Sequence, residues 1–215
     1  MRTIGLLGGM SWHSTIDYYR VINQAVQDRD GGHHSAPLVL RSLDFEEIRR
    51  LQVAEDWDAA GRLLAAAARD CAAAGADLVL ICTNLMHRVA DAVQDAVDVP
   101  LLRITDAIAD RARADGVTTL GVLGTRWTME EDFYVGQLRE AGLEVLVPDA
   151  ADRALADRLI FDELTRGIVT PQAGAALARM CGELASRGAG AVVLGCTELQ
   201  LALTPADSQI GRAHV

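Results

Sequence analysis

Short apolar runs alternate along the chain with longer segments whose apolar residues recur at helical spacing. The short runs predict seven strands, at residues 3–7, 38–40, 77–81, 101–104, 119–123, 144–147 and 191–194. The longer segments predict seven helices, at residues 14–27, 58–74, 86–96, 105–114, 128–141, 151–165 and 171–187. Strands that alternate with helices are typical of an α/β fold with a mostly parallel sheet.

Two stretches of the chain each occur twice. TIGLLGG at residues 3–9 returns as TLGVLGT at 119–125, and ADLVLICT at 76–83 returns as GAVVLGCT at 190–197. Two matches at nearly one offset, 116 and 114 residues, predict two pseudo-symmetric three-layer lobes, each with a mostly parallel sheet. Ligands of open α/β sheets bind at the carboxyl ends of strands, so we expect the active site in the cleft between the lobes.

The boundary between the two lobes lies near Pro100. We therefore place the N-terminal lobe at residues 1–99 and the second lobe at 100–203, and we expect 204–208 to return to the first lobe. Residues 210–215, IGRAHV, back-translate to a common sequencing adapter. We interpret them as an artefactual tail and leave them out of the predicted fold.

Composition removes several classes of function. All 20 basic residues are arginine, which excludes a lysine Schiff base with pyridoxal phosphate and the lysine of a phosphate-binding P-loop. The net charge of -10 disfavours binding to nucleic acid or to an anionic membrane. No signal peptide and no membrane-spanning stretch is evident. We expect a cytoplasmic protein that acts on a small molecule.

The four cysteines fall into two pairs by position. Cys82 and Cys196 each end a predicted buried strand, whereas Cys71 and Cys181 lie in alanine-rich helical segments and are expected to pack in the core. No C-x-x-C spacing occurs, so we expect no metal site. Amides at the start of a following helix would draw the pKa of Cys82 and Cys196 down from about 8.5. The alternative is that these two cysteines also only fill the core.

Two thiols on opposite walls of one cleft suit racemisation. A racemase without a cofactor removes a proton from one face of a carbon and delivers one to the other, so it needs two acid/base groups. A cysteine protease would need one cysteine and an orienting histidine. His87, five residues beyond Cys82, would either tune that thiol or hold its loop.

Four motifs closely resemble the aspartate/glutamate racemase family of the Asp/Glu/hydantoin racemase superfamily. They are GGMSWHST at 8–15, YYRVIN at 18–23, CTNLMH at 82–87 and LGCTEL at 194–199. The resemblance implies a two-lobed amino-acid racemase, an isomerase that uses no cofactor, is usually a homodimer, and has Cys82 and Cys196 as its catalytic pair.

Candidate substrate-binding residues surround these motifs. They are Met10, Ser11, Gln52, Thr83, Asn84, Arg166, Thr197 and Glu198. Met10 and Ser11 follow the first strand, and Gly8 and Gly9 before them let backbone amides approach a carboxylate; a dinucleotide-binding loop is the rival interpretation.

Alternatives stay open for the other candidates. The residues beside the two thiols can hydrogen-bond an amino acid or cap helices. By the resemblance, Gln52 reaches the cleft and Arg166 lies where members often carry a basic residue that could bind a carboxylate. Gln52 can equally be an exposed helix residue, and Arg166 a cation that favours a helix C-terminus.

Two departures from the family bear on the substrate. His13 stands where members commonly have Glu, and Leu85 stands where they have Thr, which removes a hydroxyl that could bind substrate. Cys-Thr-Asn and Gly-Cys-Thr-Glu-Leu favour the aspartate branch over glutamate racemase proper. Hydantoin racemase, maleate isomerase and arylmalonate decarboxylase activities are alternatives, as is a two-lobed amino-acid-binding protein that has lost turnover.

Overall fold

The computed structural model describes residues 1–203 and 211–213 and divides the chain into two compact units, Met1–Arg103 and Ile104–Val215. This division falls four residues after the boundary expected from the sequence. The expected return of residues 204–208 to the first lobe lies outside the described residues. Of the expected tail at 210–215, only the backbone of 211–213 is described, and it forms a strand of the second sheet.

The first unit is a parallel sheet with helices. Its strands are β1 (Ile4–Gly8), β2 (Leu38–Ser42), β3 (Leu78–Ile81) and β4 (Leu101–Leu102), in the order β2-β1-β3-β4. Its helices are α1 (Trp12–Asp30), α2 (Phe45–Val53), α3 (Trp57–Ala73) and α4 (Ala90–Gln94), and a 3-10 turn at Leu85–Val89 precedes α4.

The second unit repeats this arrangement. Its strands are β5 (Thr119–Leu123), β6 (Glu144–Leu146), β7 (Ala191–Leu194) and β8 (Gly211–Ala213), in the order β6-β5-β7-β8 and again parallel. Its helices are α5 (Ile104–Ala114), α6 (Arg126–Glu130), α7 (Gln137–Glu140), α8 (Ala150–Arg158), α9 (Pro171–Ser186) and α10 (Leu199–Ala202). The α/β class with two parallel sheets, predicted from the internal repeat, is confirmed.

All seven predicted strands are present, with small shifts at their ends. The predicted helices at 86–96, 128–141 and 151–165 are interrupted, by the 3-10 turn at Leu85–Val89 and by π-helical turns at Asp132–Gly136 and Leu159–Glu163. Helix α2 was not predicted from the sequence, although Asp44 caps it by accepting a hydrogen bond from the amide of Glu46.

Side-chain caps explain where several helices begin. Asp56 accepts a hydrogen bond from the amide of Ala59 at the start of α3. Thr170 caps α9 through the amide of Ala173, and Pro171 occupies the first turn, where its missing N–H costs nothing. Such signals are local, so the sequence predicts these helix starts well.

Each unit has its own hydrophobic core. Cys71 packs in the first core and Cys181 in the second, as predicted for both. Among the described residues, no helix is long and apolar enough to cross a membrane.

Candidate active site

The adjacent strands β1 and β3 bring several predicted site residues to one sheet edge. Leu7 of β1 is in register with Ile81 of β3, so the loops that begin at Gly9 and at Cys82 leave the sheet side by side. Gly9 has a φ of 91°, and a Cβ there would lie 2.1 Å from the carbonyl oxygen of Leu43. Only glycine allows the chain to turn at this point.

Cys82 lies directly after β3, at the carboxyl edge of the first sheet. Its side chain is fully buried, its amide donates to the carbonyl of Leu7 over 3.0 Å, and its carbonyl accepts from Ser14 Oγ over 2.7 Å. Burial raises the pKa of the Cys82 thiol to about 12, because the thiolate loses its hydration. The expectation of a lowered pKa is therefore wrong for Cys82. The helical turn that follows is short and does not offset the desolvation.

His87 fixes the loop that follows Cys82 through a hydrogen bond to its backbone. His87 is buried, and its Nδ1 lies 2.8 Å from the carbonyl oxygen of Thr83. Burial lowers the pKa of His87 to about 4, so the ring is neutral at pH 7 and Nδ1–H donates to that carbonyl. Of the two roles considered for His87, this geometry favours holding the loop.

Gln52 is also buried, so its interpretation as an exposed helix residue is wrong. Its Nε2 lies 3.3 Å from Sδ of Met86, and its Oε1 lies 3.4 Å from Nη1 of Arg49. Gln52 thus links α2 to the turn that follows Cys82.

Cys196 has a carboxylate beside it in the second unit. Its Sγ donates a hydrogen bond to Oε2 of Glu198 over 3.0 Å, and Oγ1 of Thr197 donates to the same oxygen over 3.0 Å. Burial, followed by the negative charge of Glu198, raises the pKa of Cys196 well above its usual value. The expectation of a lowered pKa is wrong here too. The backbone amides of Glu198 and Leu199 act in the opposite direction but are outweighed.

The capping role considered for the polar residues beside the thiols is wrong for Asn84 and Glu198. Asn84 and Glu198 stand at the positions that precede helical turns, but neither side chain makes a capping hydrogen bond. Asn84 and Glu198 are nevertheless buried.

Arg166 is exposed at the end of a 3-10 turn, Leu164–Arg166, which packs against α10 just after Glu198. Within the part of the chain that the structure describes, its guanidinium makes no ion pair. Met10, Ser11, Gln52, Thr83 and Asn84 thus lie in the same unit as Cys82. Thr197, Glu198 and Arg166 lie in the same unit as Cys196.

Two residues near Cys82 were missed as site residues. Ser14 binds the carbonyl of Cys82, and Tyr18 lies one turn further along α1. Burial, and then the charge of the Cys82 thiolate, raise the pKa of Tyr18 above its usual range. Both residues belong to the motifs that carry the resemblance, but only the tertiary structure reveals that they interact with Cys82.

The family is decided by comparison over nearly the whole chain. A family model described as Asp/Glu/Hydantoin racemase matches residues 7–215. The chain belongs to the Asp/Glu/hydantoin racemase family. Within the described residues, no group of His, Cys, Asp or Glu side chains could hold a metal ion.

Solved structures and a curated racemase of this family resemble the chain closely. A Yersinia pestis protein assigned as an Asp/Glu racemase is 44% identical with a TM-score of 0.91, over 99% of this chain and 93% of its own. An aspartate racemase homologue from Pyrococcus horikoshii OT3 is 34% identical with a TM-score of 0.83, over 99% and 92%. A broad-specificity amino-acid racemase of Bacillus subtilis (strain 168) is 26% identical over 223 residues, 96% of this chain and 90% of that protein. These relatives support amino-acid racemase activity.

Proposed function

We propose that this chain interconverts the L and D forms of aspartate and/or glutamate without a cofactor, using Cys82 and Cys196 as two acid/base groups. One observation carries this assignment. Each of the two cysteines follows the corresponding strand, β3 or β7, of two sheets that have the same strand order. Core packing alone gives no reason for a thiol to recur at that position.

The chemistry is a paired proton transfer. A thiolate on one side takes the Cα proton of the substrate and becomes a thiol, which leaves the electron pair on a planar carbanion. The thiol on the other side gives its proton to the opposite face of that carbon and becomes a thiolate. The reverse reaction exchanges the two roles, so no atom or electron is gained or lost. The mechanism requires both sulfurs to reach opposite faces of one Cα.

Glu198 gives Cys196 a route to its thiolate. Its Oε2 already accepts the S–H hydrogen bond of Cys196, so the proton can pass to the carboxylate when substrate binds. A thiolate whose pKa is raised is also the stronger base, which suits abstraction of a weakly acidic Cα proton. Raised thiol pKa values are therefore compatible with two-base catalysis.

The other predicted residues hold the substrate in this mechanism. Arg166 binds a carboxylate, and Thr197 positions Glu198 through its hydroxyl. Met10, Ser11, Thr83, Asn84 and Gln52 line the edge beside Cys82. Since the net charge is -10, affinity for an anionic amino acid has to come from such local groups.

The preference for aspartate or glutamate follows the more similar relatives. The solved relatives at 44% and 34% identity are named for aspartate or glutamate racemases, whereas the broad-specificity racemase is 26% identical. We also propose that the protein acts as a homodimer, which light scattering coupled to size-exclusion chromatography tests directly.

The decisive experiment is α-deuterium exchange in D2O without added cofactor. L-Asp, D-Asp, L-Glu and D-Glu are each incubated with the protein, and at least one pair should exchange and interconvert. Cys82→Ser and Cys196→Ser should each abolish interconversion, whereas Cys181→Ala, a small apolar replacement in the core, should retain it. Binding of an amino acid without exchange would favour the rival, a binding protein that has lost turnover.

A further inference from the structure

The internal repeat continues past β5 and reaches an arginine that the proposed mechanism does not use. Trp12 and Asp17 correspond to Trp127 and Asp132, at an offset of 115 residues. Arg126 therefore occupies, after β5, the position that Met10 and Ser11 occupy after β1. In the second unit, the loop that follows the first strand carries a positive charge.

Arg126 leaves the sheet at the same edge as Cys196. Leu123 of β5 is in register with Leu194 of β7, and the amide of Gly195 donates to the carbonyl of Leu123 over 2.7 Å. A Cβ on Gly124 would lie 3.2 Å from the carbonyl oxygen of Gly195. The two loops therefore run in contact, with Cys196 one residue beyond that contact and Arg126 two residues beyond it.

A backbone hydrogen bond and a ring contact hold Arg126 in place. Its amide donates to Oδ1 of Asp157 over 2.8 Å, and its guanidinium carbon lies 5.4 Å from the ring centre of Trp127. The side chain is exposed, and within the described ranges its guanidinium makes no ion pair. By contrast, Arg153 pairs with Glu130 in the same unit.

A chain of contacts links Arg126 to the segment that ends in Arg166. Trp127 packs edge-on against Phe161, with ring centres 6.2 Å apart, and the carbonyl of Phe161 accepts from Oγ1 of Thr165 over 3.1 Å. The 3-10 turn Leu164–Arg166 packs against α10, the helix that begins directly after Glu198. Two exposed arginines thus border the edge that carries Cys196.

We propose that Arg126 binds the side-chain carboxylate of a dicarboxylic amino acid and so determines the substrate class, while Arg166 holds the α-carboxylate. This assignment rests on the proposed racemase function and deepens it. A planar guanidinium binds a carboxylate through two parallel hydrogen bonds. Here Trp127 contacts the guanidinium, and Asp157 fixes the backbone from which the side chain extends. A second local cation is needed because the protein is acidic overall and Glu198 places a carboxylate at the same edge.

The test replaces Arg126 and a matched arginine and compares substrates that differ only in the side-chain carboxylate. Arg126→Gln removes the charge, Arg126→Lys keeps the charge without the two-pronged geometry, and Arg139→Gln is the control. Arg139 is exposed on α7, just before β6 enters the sheet, at the opposite edge from Cys196. Exchange of the α-proton is measured with L-Asp, L-Glu and L-Asn, and binding of L-Asp and of succinate, which has no amino group, is measured by calorimetry.

In Arg126→Gln, we expect KM for the dicarboxylic amino acid and Kd for succinate to rise about 10- to 100-fold, with an intermediate rise in Arg126→Lys. Any exchange of L-Asn should be unchanged, and Arg139→Gln should match the wild type throughout. Unchanged KM and Kd in Arg126→Gln would overturn the assignment while the racemase function stands. An equal loss for L-Asp and L-Asn would also overturn it, because Arg126 would then contact a group common to both.

If the wild type binds L-Asp without exchange, the proposed function fails and the Arg126 assignment is decided by the Kd values alone. If it binds neither L-Asp nor succinate, both fail.

Discussion

The Sγ atom of Cys196 donates a hydrogen bond to Oε2 of Glu198 over 3.0 Å. Cys82, its counterpart in the repeat, is fully buried. Ser14 donates a hydrogen bond to the Cys82 carbonyl, and Tyr18 lies nearby on α1. The two thiols occupy equivalent positions after equivalent strands but lie in different electrostatic surroundings. Their roles are therefore expected to be unequal even though the fold that carries them is repeated.

Replacing Glu198 should make alkylation of Cys196 faster and racemisation slower. Glu198→Gln keeps the shape but removes the negative charge that raises the pKa of Cys196, so alkylation of Cys196 by iodoacetamide at pH 7.5 should become faster. Racemisation should fall about 100-fold, because the carboxylate no longer takes the thiol proton. Mass spectrometry of the alkylated protein and α-deuterium exchange measure the two effects.

Glu140→Gln, on the exposed end of α7, is the matched control and should change neither property. If alkylation and racemisation both slow down in Glu198→Gln, then Glu198 supports the local structure rather than proton transfer.

The pH dependence of turnover should reflect the raised pKa of Cys82. With a pKa of about 12, Cys82 in the free enzyme holds its thiolate as a minor species at neutral pH, and that fraction grows about tenfold per pH unit. We expect kcat/KM to rise with pH between about 6 and 9, as measured by polarimetry. A plateau that begins below pH 8 would contradict the raised thiol pKa.

Because of His87, the free energy of unfolding should decrease as the pH falls. Its pKa is lowered to about 4 in the folded protein, so the unfolded chain binds the proton more readily. The stability associated with neutral His87 is complete above about pH 6.5 and is lost as the pH falls towards 4, by about 3 kcal/mol. Urea unfolding at pH 7 and pH 5 should show a smaller difference for His87→Gln than for the wild type.

His34, which is exposed, provides the comparison, and His34→Gln should keep the wild-type difference. An identical pH response in His87→Gln and the wild type would contradict the buried neutral ring.

The turn after β1 should tolerate no side chain at Gly9. Gly9→Ala combines a φ of 91° with a Cβ placed 2.1 Å from the carbonyl oxygen of Leu43, so unfolding free energy should fall by about 3 kcal/mol. Gly31→Ala has a φ of 74° but open space around the Cβ, and should cost about 1 kcal/mol. Urea unfolding that gives equal losses for the two variants would show that the approach to Leu43 does not limit this turn.

Local patterns explain how much of the fold the sequence predicts. Strands β1, β3, β5 and β7 are continuous apolar runs, and Thr170 with Pro171 marks the start of α9, so these elements follow from neighbouring residues alone. The helix predicted at 151–165 is interrupted by a π-helical turn at Leu159–Glu163, and Phe161 in that turn packs against Trp127 of a distant segment. No local pattern contains that information.

The sequence by itself determined the α/β class, the internal repeat and the positions of Cys82 and Cys196 at strand ends, because hydrophobic periodicity and an internal repeat are properties of the chain. Only the tertiary structure decided the electrostatics of the site. Burial reversed the expected direction of both thiol pKa shifts, turned Gln52 inward and made His87 neutral, since desolvation depends on everything packed around a group. The pairing of β5 with β7, which lie far apart in the chain, also brought the loop that leads to Arg126 against the loop that leads to Cys196.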